Sequence, residues 1–482
     1  MKILLHIFLY SLFTCSAAAQ TVEVSNPTKL TAKSSKFKVI GKNSDGYIVR
    51  LYGSQDVIEV YSDDLRLVTS RTIEFKTQDG PLQHILLNKT GAVIFFLTQD
   101  KKFSVLMAQP VNSKFVEIGK PIAIDTIYDR RDLIASNLRF KASNDQNFLF
   151  VYYPFFKGSN VESVKMLCLN NSLNQLFNRT MIINRNESEL ESSRTLIDNN
   201  GNCYIVFRDM QNSAQEDVRF NVFRVSETGE LGNYTINCGK QLFGDPYIEV
   251  DNKNGNLVWS GFYNDDKRKE DVATGIFYGR LEPATGAEQK LQHIPFSKDF
   301  ITELTGREAS ENKLKLYTFN VKRVMLRNDG GTLFLAESFI RDSREQVTSA
   351  GMQAGLSGFR TITLFQYNDI IAYSVDSTGA VSWNAVMRKK QVSEEDNGAY
   401  SSFLIVNQKE QLRFIYLDEI TYQADLNEYT LTSDGRNKRT KILNQEESDL
   451  MLMPKMGKQV SPNEVLVPSY KNGALRLVKI SY

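Results

Sequence analysis

A polar turn followed by a short apolar run occurs eight times along this chain of 482 residues. The runs occupy residues 47–52, 92–97, 148–153, 203–207, 257–263, 333–339, 412–416 and 465–470. Each is rich in β-branched and aromatic residues and too short for a helix, which leaves a buried strand. The turns before them carry Asp45-Gly46, Asn199-Asn200-Gly201-Asn202, Asn254-Gly255-Asn256 and Asp329-Gly330-Gly331. Those residues tolerate positive φ, as hairpin turns require.

A second strand follows each run and often ends in a further turn. Residues 220–226 lead into Glu227-Thr228-Gly229-Glu230, 370–375 into Asp376-Ser377-Thr378-Gly379, and 428–432 into Ser433-Asp434-Gly435. A third strand comes next, for example 68–75 or 114–118. With the strand before the first turn, each unit has four antiparallel strands, and such units in series predict a β-propeller. A β-solenoid has shorter and more regular rungs. Length alone suggests about three domains; the repeat argues for one all-β domain over residues 20–482. The eighth unit stops after its second strand at Tyr482, while residues 22–34 form a spare extended segment at the other end. That segment is expected to complete the last blade and close the ring, which limits edge exposure. The expectation is eight blades, with seven as the alternative.

The first residues read as an export signal. Lys2 precedes an apolar core at residues 3–13, too short to span a bilayer, and Ala17-Ala18-Ala19 supplies a small-residue cleavage site. Residues 1–19 are therefore assigned to a signal peptide, with a mature start at Gln20. Thr14 before Cys15 argues for ordinary cleavage rather than a lipid anchor. No later segment is apolar enough to span a membrane. The chain has 58 basic and 56 acidic side chains in mixed order, which argues against a nucleic-acid binder. Cys168, Cys203 and Cys238 lie within or at the ends of apolar runs and read as buried, unreactive thiols.

Catalytic and metal signals are weak. His84 and His293 sit in different units without ligand-spaced Cys or carboxylates, so neither a zinc site nor a Ser-His-Asp triad is expected, and no cofactor is implied. Asp376 to Trp383 reads as a structural turn seating Trp383. A glycosidase places two carboxylates ~5–9 Å apart; the candidates are Glu337, Asp265, Asp266, Asp418 and Glu419.

Within an antiparallel blade, the 1–2 and 3–4 turns share one face, and the 2–3 and inter-blade links share the other. The long links, at residues 154–162, 209–218, 264–274, 340–360 and 418–425, all belong to the second face. So does the inter-blade insertion 297–320, whose middle part, 299–316, suits a short helix. Long links on a rigid scaffold commonly carry function. Aromatic and charged residues at their roots, namely Tyr153, Phe155, Phe156, Arg208, Phe262, Tyr263, Glu337, Phe339 and Tyr422, are the candidate binding residues. Strand neighbours point to opposite faces, so about half of such a set should be core.

The turn-strand-strand-turn units, residues 371–383 and the stretch Asp396-Asn-Gly-Ala-Tyr-Ser-Ser-Phe403 resemble uncharacterised exported propeller proteins of Bacteroidota. The resemblance implies fold and compartment: periplasm, cell surface or medium. The function expected is non-enzymatic binding of a protein or glycan partner through the long-link face, as part of a cell-envelope complex. The alternative is a carbohydrate-active hydrolase or lyase with carboxylates on that face.

Overall fold

The first side chain of a turn often closes it. Asp198 Oδ1 accepts from the amides of Asn200 and Asn202, and Asp376 Oδ1 from those of Thr378 and Ala380. A left-handed glycine completes each turn, Gly201 at φ 90° and Gly379 at φ 91°. At Gly46 the need for glycine is steric, because a Cβ there would strike the Tyr61 carbonyl.

The computed structural model describes residues 20–73, 82–99, 103–128, 137–158, 160–186, 193–208, 218–239, 241–265, 272–283, 287–310, 314–348 and 358–482. The signal-peptide assignment lies outside them, as do residues 209–217 and most of 264–274. The turns join eight antiparallel sheets, seven of them with a four-strand meander. The blades are numbered 1 to 8 in chain order. Their second strands coincide with the eight apolar runs, from Gly46–Tyr52 in blade 1 to Glu464–Lys471 in blade 8. First strands of neighbouring blades meet around the axis.

Blade 8 takes its outer strand from the other end of the chain. Thr21–Val24 pairs antiparallel with Ala474–Ser481, in the register Thr21↔Ser481 to Val24↔Val478. Thr28–Lys29 adds to the same strand. Ser25 Oγ accepts from the Leu477 amide at 2.9 Å, and Lys479 pairs with Glu23 at 2.8 Å. The protein is thus an eight-bladed β-propeller closed by its N-terminal strand.

The core consists of eight apolar clusters, one in each space between adjacent blades. Each blade therefore buries both faces. The three cysteines lie in these spaces as free thiols, with Cys168 and Cys203 together between blades 3 and 4. Burial pushes the Cys238 thiol up to about 12.

Several links differ from their sequence reading. Residues 154–162 are not a loop: Phe148–Lys157 and Asn160–Asn170 pair out to Lys157↔Asn160. Residues 340–348 and 358–360 likewise continue the blade 6 strands, Thr332–Thr348 and Gly358–Val375, which pair from Ile340↔Gln366 to Thr348↔Gly358, and residues 349–357 lie outside the described residues. Phe359, Thr361, Ile362 and Thr363 favour extended backbone, and the Thr363 amide donates to the Glu395 side chain. Residues 114–118 form no full strand; Phe115 turns left-handed at φ 59°, its amide bonds the Asn112 carbonyl, and its ring enters the core. The fourth strand of blade 2 is Ile122–Ile127. Insertion 297–320 contains the expected helix at Lys298–Thr305, capped by Ser297 Oγ and ended by left-handed Gly306.

Candidate functional site

On the long-link face, blades 6, 7 and 8 meet around a carboxylate with no solvent exposure. Glu337 stands on the second strand of blade 6, beyond the last apolar pairs and just before the strand leaves the blade. Its Oε2 accepts from Ser402 Oγ at 2.7 Å and pairs with Lys322 Nζ at 2.7 Å. Its Oε1 pairs with Lys389 Nζ at 2.7 Å, an ion pair outside directed hydrogen-bond geometry. Lys322 comes from the first strand of blade 6, and Lys389 follows its fourth strand.

Lys389 is also fully buried in its side chain, which would be costly for an ammonium without acceptors. It donates to the Tyr367 carbonyl at 2.9 Å and to Gln391 Oε1 at 2.8 Å. Gln391 in turn donates to the Leu417 carbonyl at 2.6 Å and accepts from the Ser402 amide at 2.8 Å. Burial pulls Lys389 down to about 8, with Lys322 adding to the effect and Glu337 opposing it.

The segment 395–402 wraps this pair in unusual backbone. Glu395, Asn397 and Ser402 take positive φ of 54°, 55° and 72°, and Gly398 sits at φ 67° where a side chain would hit the Tyr367 ring. Non-glycine residues in this region cluster at functional or constrained sites. Asp396 Oδ1 anchors the turn, accepting from the Gly398 amide at 2.8 Å and Ser393 Oγ at 2.7 Å. Its Oδ2 is buried with no donor among the described residues. The Tyr367 ring lies 4.8 Å from Phe339, with Lys322 Nζ 5.1 Å and Lys455 Nζ 5.3 Å from its centroid.

Above this root the blade 6 strands rise off the disc as an arm. A short third strand, Gln391–Glu394, pairs with Leu364 to Tyr367 and braces the base. Arg344 and Glu394 pair across it at 2.5 Å. Beside the arm, Arg388 pairs with Asp369 at 2.8 Å and donates to the Glu303 and Leu304 carbonyls, tying blade 6 to the C-terminal end of the helix. The helix buries Phe300, Ile301 and Leu304 between blades 5 and 6.

The structure divides the candidate binding residues. Glu337 and Phe339 belong to the site. Tyr153, Phe262 and Tyr263 fill inter-blade cores, a correction to their reading as surface anchors. Tyr153 donates to Asp125, which Lys165 also pairs at 3.1 Å. Phe155 and Phe156 are half-buried against the cores on opposite faces of blade 3. Arg208 is half-buried at the end of a blade 4 strand. Tyr422 is exposed in the 418–425 link, with Lys471 Nζ 3.7 Å from its ring centroid. Lys322, Tyr367, Lys389 and Lys455 had no sequence signal of their own; the one local hint was the Asn-Gly and Ser-Ser content of 396–403.

The carboxylates named for a hydrolytic pair are spread over blades 5, 6 and 7. Both Glu337 oxygens face lysines, and Asp418 Oδ1 accepts from the Glu419 and Asp425 amides. Asp266 lies outside the described residues. Among the described residues no cluster of His, Cys, Asp and Glu gathers as a metal site, and no helix is long and apolar enough to cross a membrane. On the opposite face, Trp383 borders an open groove of about 430 Å³ between blades 6 and 7. Its indole, half-buried rather than fully seated in the core, donates to the Ser433 carbonyl at 2.9 Å.

No protein-family model and no curated protein matches this chain. Solved structures match at low identity. An uncharacterized protein from Listeria monocytogenes EGD-e is 10% identical, with 84% of this chain and 94% of that one covered and a TM-score of 0.39. The WD40 domain of SCAP from fission yeast is 9% identical, with 96% and 98% covered and a TM-score of 0.39. The acylaminoacyl peptidase of Pyrococcus horikoshii is 9% identical, with 93% and 57% covered and a TM-score of 0.35. At these scores the assignment to propellers rests on this chain's own sheet order.

Proposed function

We propose that this protein is an exported binding propeller that captures a protein or glycan partner on its long-link face, in the cell envelope or outside the cell. One observation carries the reading: the second and third strands of blade 6 run 17 and 18 residues and raise a braced arm off that face, rooted in a fully buried Glu337–Lys389 pair. A stiff element fixed to a rigid disc presents its side chains with little ordering cost on association. Its outer residues, Arg341 to Glu345, are exposed and carry both charges. Export follows from the leader at residues 1–19 and accords with the resemblance to exported Bacteroidota propellers.

The test shortens the arm. Arg341 and Phe365 are register partners, so an Asn-Gly turn replacing residues 342–364 closes the hairpin in frame. The full-length protein and this variant are used to capture partners from the native envelope, with mass spectrometry as the readout. Loss of a specific partner at an unchanged melting temperature is expected. An identical partner set from both proteins overturns the assignment of binding to this face.

A further inference from the structure

The charges at the root of the arm do not balance. Lys322, Lys389 and Lys455 converge there, and Glu337 is already shared by the first two. Lys455 comes from the link into blade 8, on the short helical turn Pro454–Met456. As a residue it is exposed, yet its ammonium lies over the Tyr367 ring within reach of Lys322 and has no acceptor among the described residues. Partial burial and the charge of Lys322 hold Lys455 below the usual lysine range. The ring face offers a weak cation–π contact, which does not replace an anion. Asp396 does not complete the set, because one oxygen is committed to its own turn and the other is buried.

An exposed lysine normally swings into water to avoid a like charge, since its stem has several rotatable bonds. Here the Lys455 ammonium lies over the Tyr367 ring instead. Gly398 presses on one side of the Tyr367 ring, and Phe339 contacts it as well. The ring therefore forms a fixed floor with two ammonium groups around it. Lys322 keeps about a quarter of its side chain exposed, at 26%, and Lys455 is exposed as a residue. Lysines act as point charges rather than planar forks, so the pair calls for an oxyanion but not for bidentate geometry.

We propose that Lys322 and Lys455, set around Tyr367, form a binding site for a carboxylate borne on a sugar, such as a uronate unit of an acidic glycan. The carboxylate supplies the missing acceptor for Lys455 and neutralises the like-charge pair. The inference rests on the binding reading above and narrows its partner to an acidic glycan. The site is separate from the arm tip, so the two ideas fail independently: arm shortening leaves Lys322, Tyr367 and Lys455 in place.

The experiment titrates the full-length protein with galacturonate, inorganic sulfate and galactose, following the side-chain resonances of Lys455 and Lys322. Galacturonate should shift both resonances and raise the pKa of Lys455, while galactose leaves them unmoved. A response to galacturonate at least tenfold tighter than to sulfate assigns the site to sugar carboxylates; equal responses reassign it to small oxyanions in general and overturn the glycan part. Lys455→Gln should weaken galacturonate binding at least tenfold at an unchanged melting temperature, and Lys455→Arg should restore part of it. No response of either lysine to any anion, or full binding by Lys455→Gln, overturns the site.

Discussion

Glu337 has no solvent exposure and faces two ammonium groups, so removing Lys389 leaves its Oε1 buried without a partner rather than simply deleting a contact. Breaking a buried ion pair from one side typically costs about 3–5 kcal/mol, while replacing both members with apolar groups is often close to neutral. Lys389→Met is therefore expected to lower the unfolding free energy by about 3–5 kcal/mol, and Glu337→Leu combined with Lys389→Met should recover most of it. Urea unfolding of both variants checks this; a double variant as unstable as the single would show that packing, not charge, sets the cost. The same lysine gives a pH signature. Its folded value of about 8 lies below the ordinary 10.5, so between those limits the unfolded chain binds more protons. Stability should rise as pH climbs through that window, and the burial penalty is present in full below it. The raised values of Tyr61 and Tyr416 act in the opposite direction above pH 10. The quantity to measure is thus wild type minus Lys389→Met, which should grow in favour of wild type from pH 8 to 10. A flat difference would mean that Lys389 keeps its proton.

At this scale the sequence was only half legible. Adjacent aromatics are expected to split between core and surface, but Phe262 and Tyr263 enter two different cores, as do Tyr152 and Tyr153. A propeller blade packs both of its faces, so alternation separates one neighbour's core from the next rather than inside from outside. Lysines such as Lys389, in a polar stretch after a strand, read as solvated; only convergence of four chain segments buries one.

Among elements, the helix at Lys298–Thr305 depends most on local chemistry. Ser297 Oγ accepts from the Phe300 amide at 3.2 Å, and Asp299 stands in the first turn. Ser297→Ala should cost about 1 kcal/mol, read by thermal melting, and Ser297→Asp should cost little. Equal loss with both substitutions would show that the hydroxyl's packing matters more than its acceptor. This helix was visible in the sequence because spaced apolar residues are mixed with charge there. The arm was not. Residues 340–360 are polar and carry glycines near the middle, which is how a loop reads, and strand pairing between distant halves leaves no local period. What remained legible was the position of the insertion and the face from which it emerges, because those follow from strand order alone.

For the whole molecule, eight apolar runs set the blade count and a missing outer strand set the closure, and both appear in the sheet order. Eight similar inter-blade cores imply that each blade is stabilised by two neighbours, so an opening anywhere weakens the ring at two flanks. Deleting residues 20–34 removes the strand paired with Ala474–Ser481, the Ser25 and Glu23 contacts, and the Thr28 hydroxyl bonded to Tyr61 at 2.9 Å. The truncated protein should melt at a clearly lower temperature and self-associate through the bared edge of blade 8. Light scattering and calorimetry test both outcomes; a monomer with unchanged melting would show that the clasp is dispensable.

Thr21 pairs with Ser481, so the earliest strand described can dock only after the latest has been made. During synthesis the growing chain must carry that N-terminal strand unpaired while seven blades assemble behind it. Contacts so distant in sequence form slowly and leave strand edges bare in the meantime. A message cut short near its end would yield seven nearly complete blades and two open flanks, a product ready to stick to its own kind. Passage across a membrane as an unfolded thread would suit such a molecule, because the ring would then be sealed only once, on the far side.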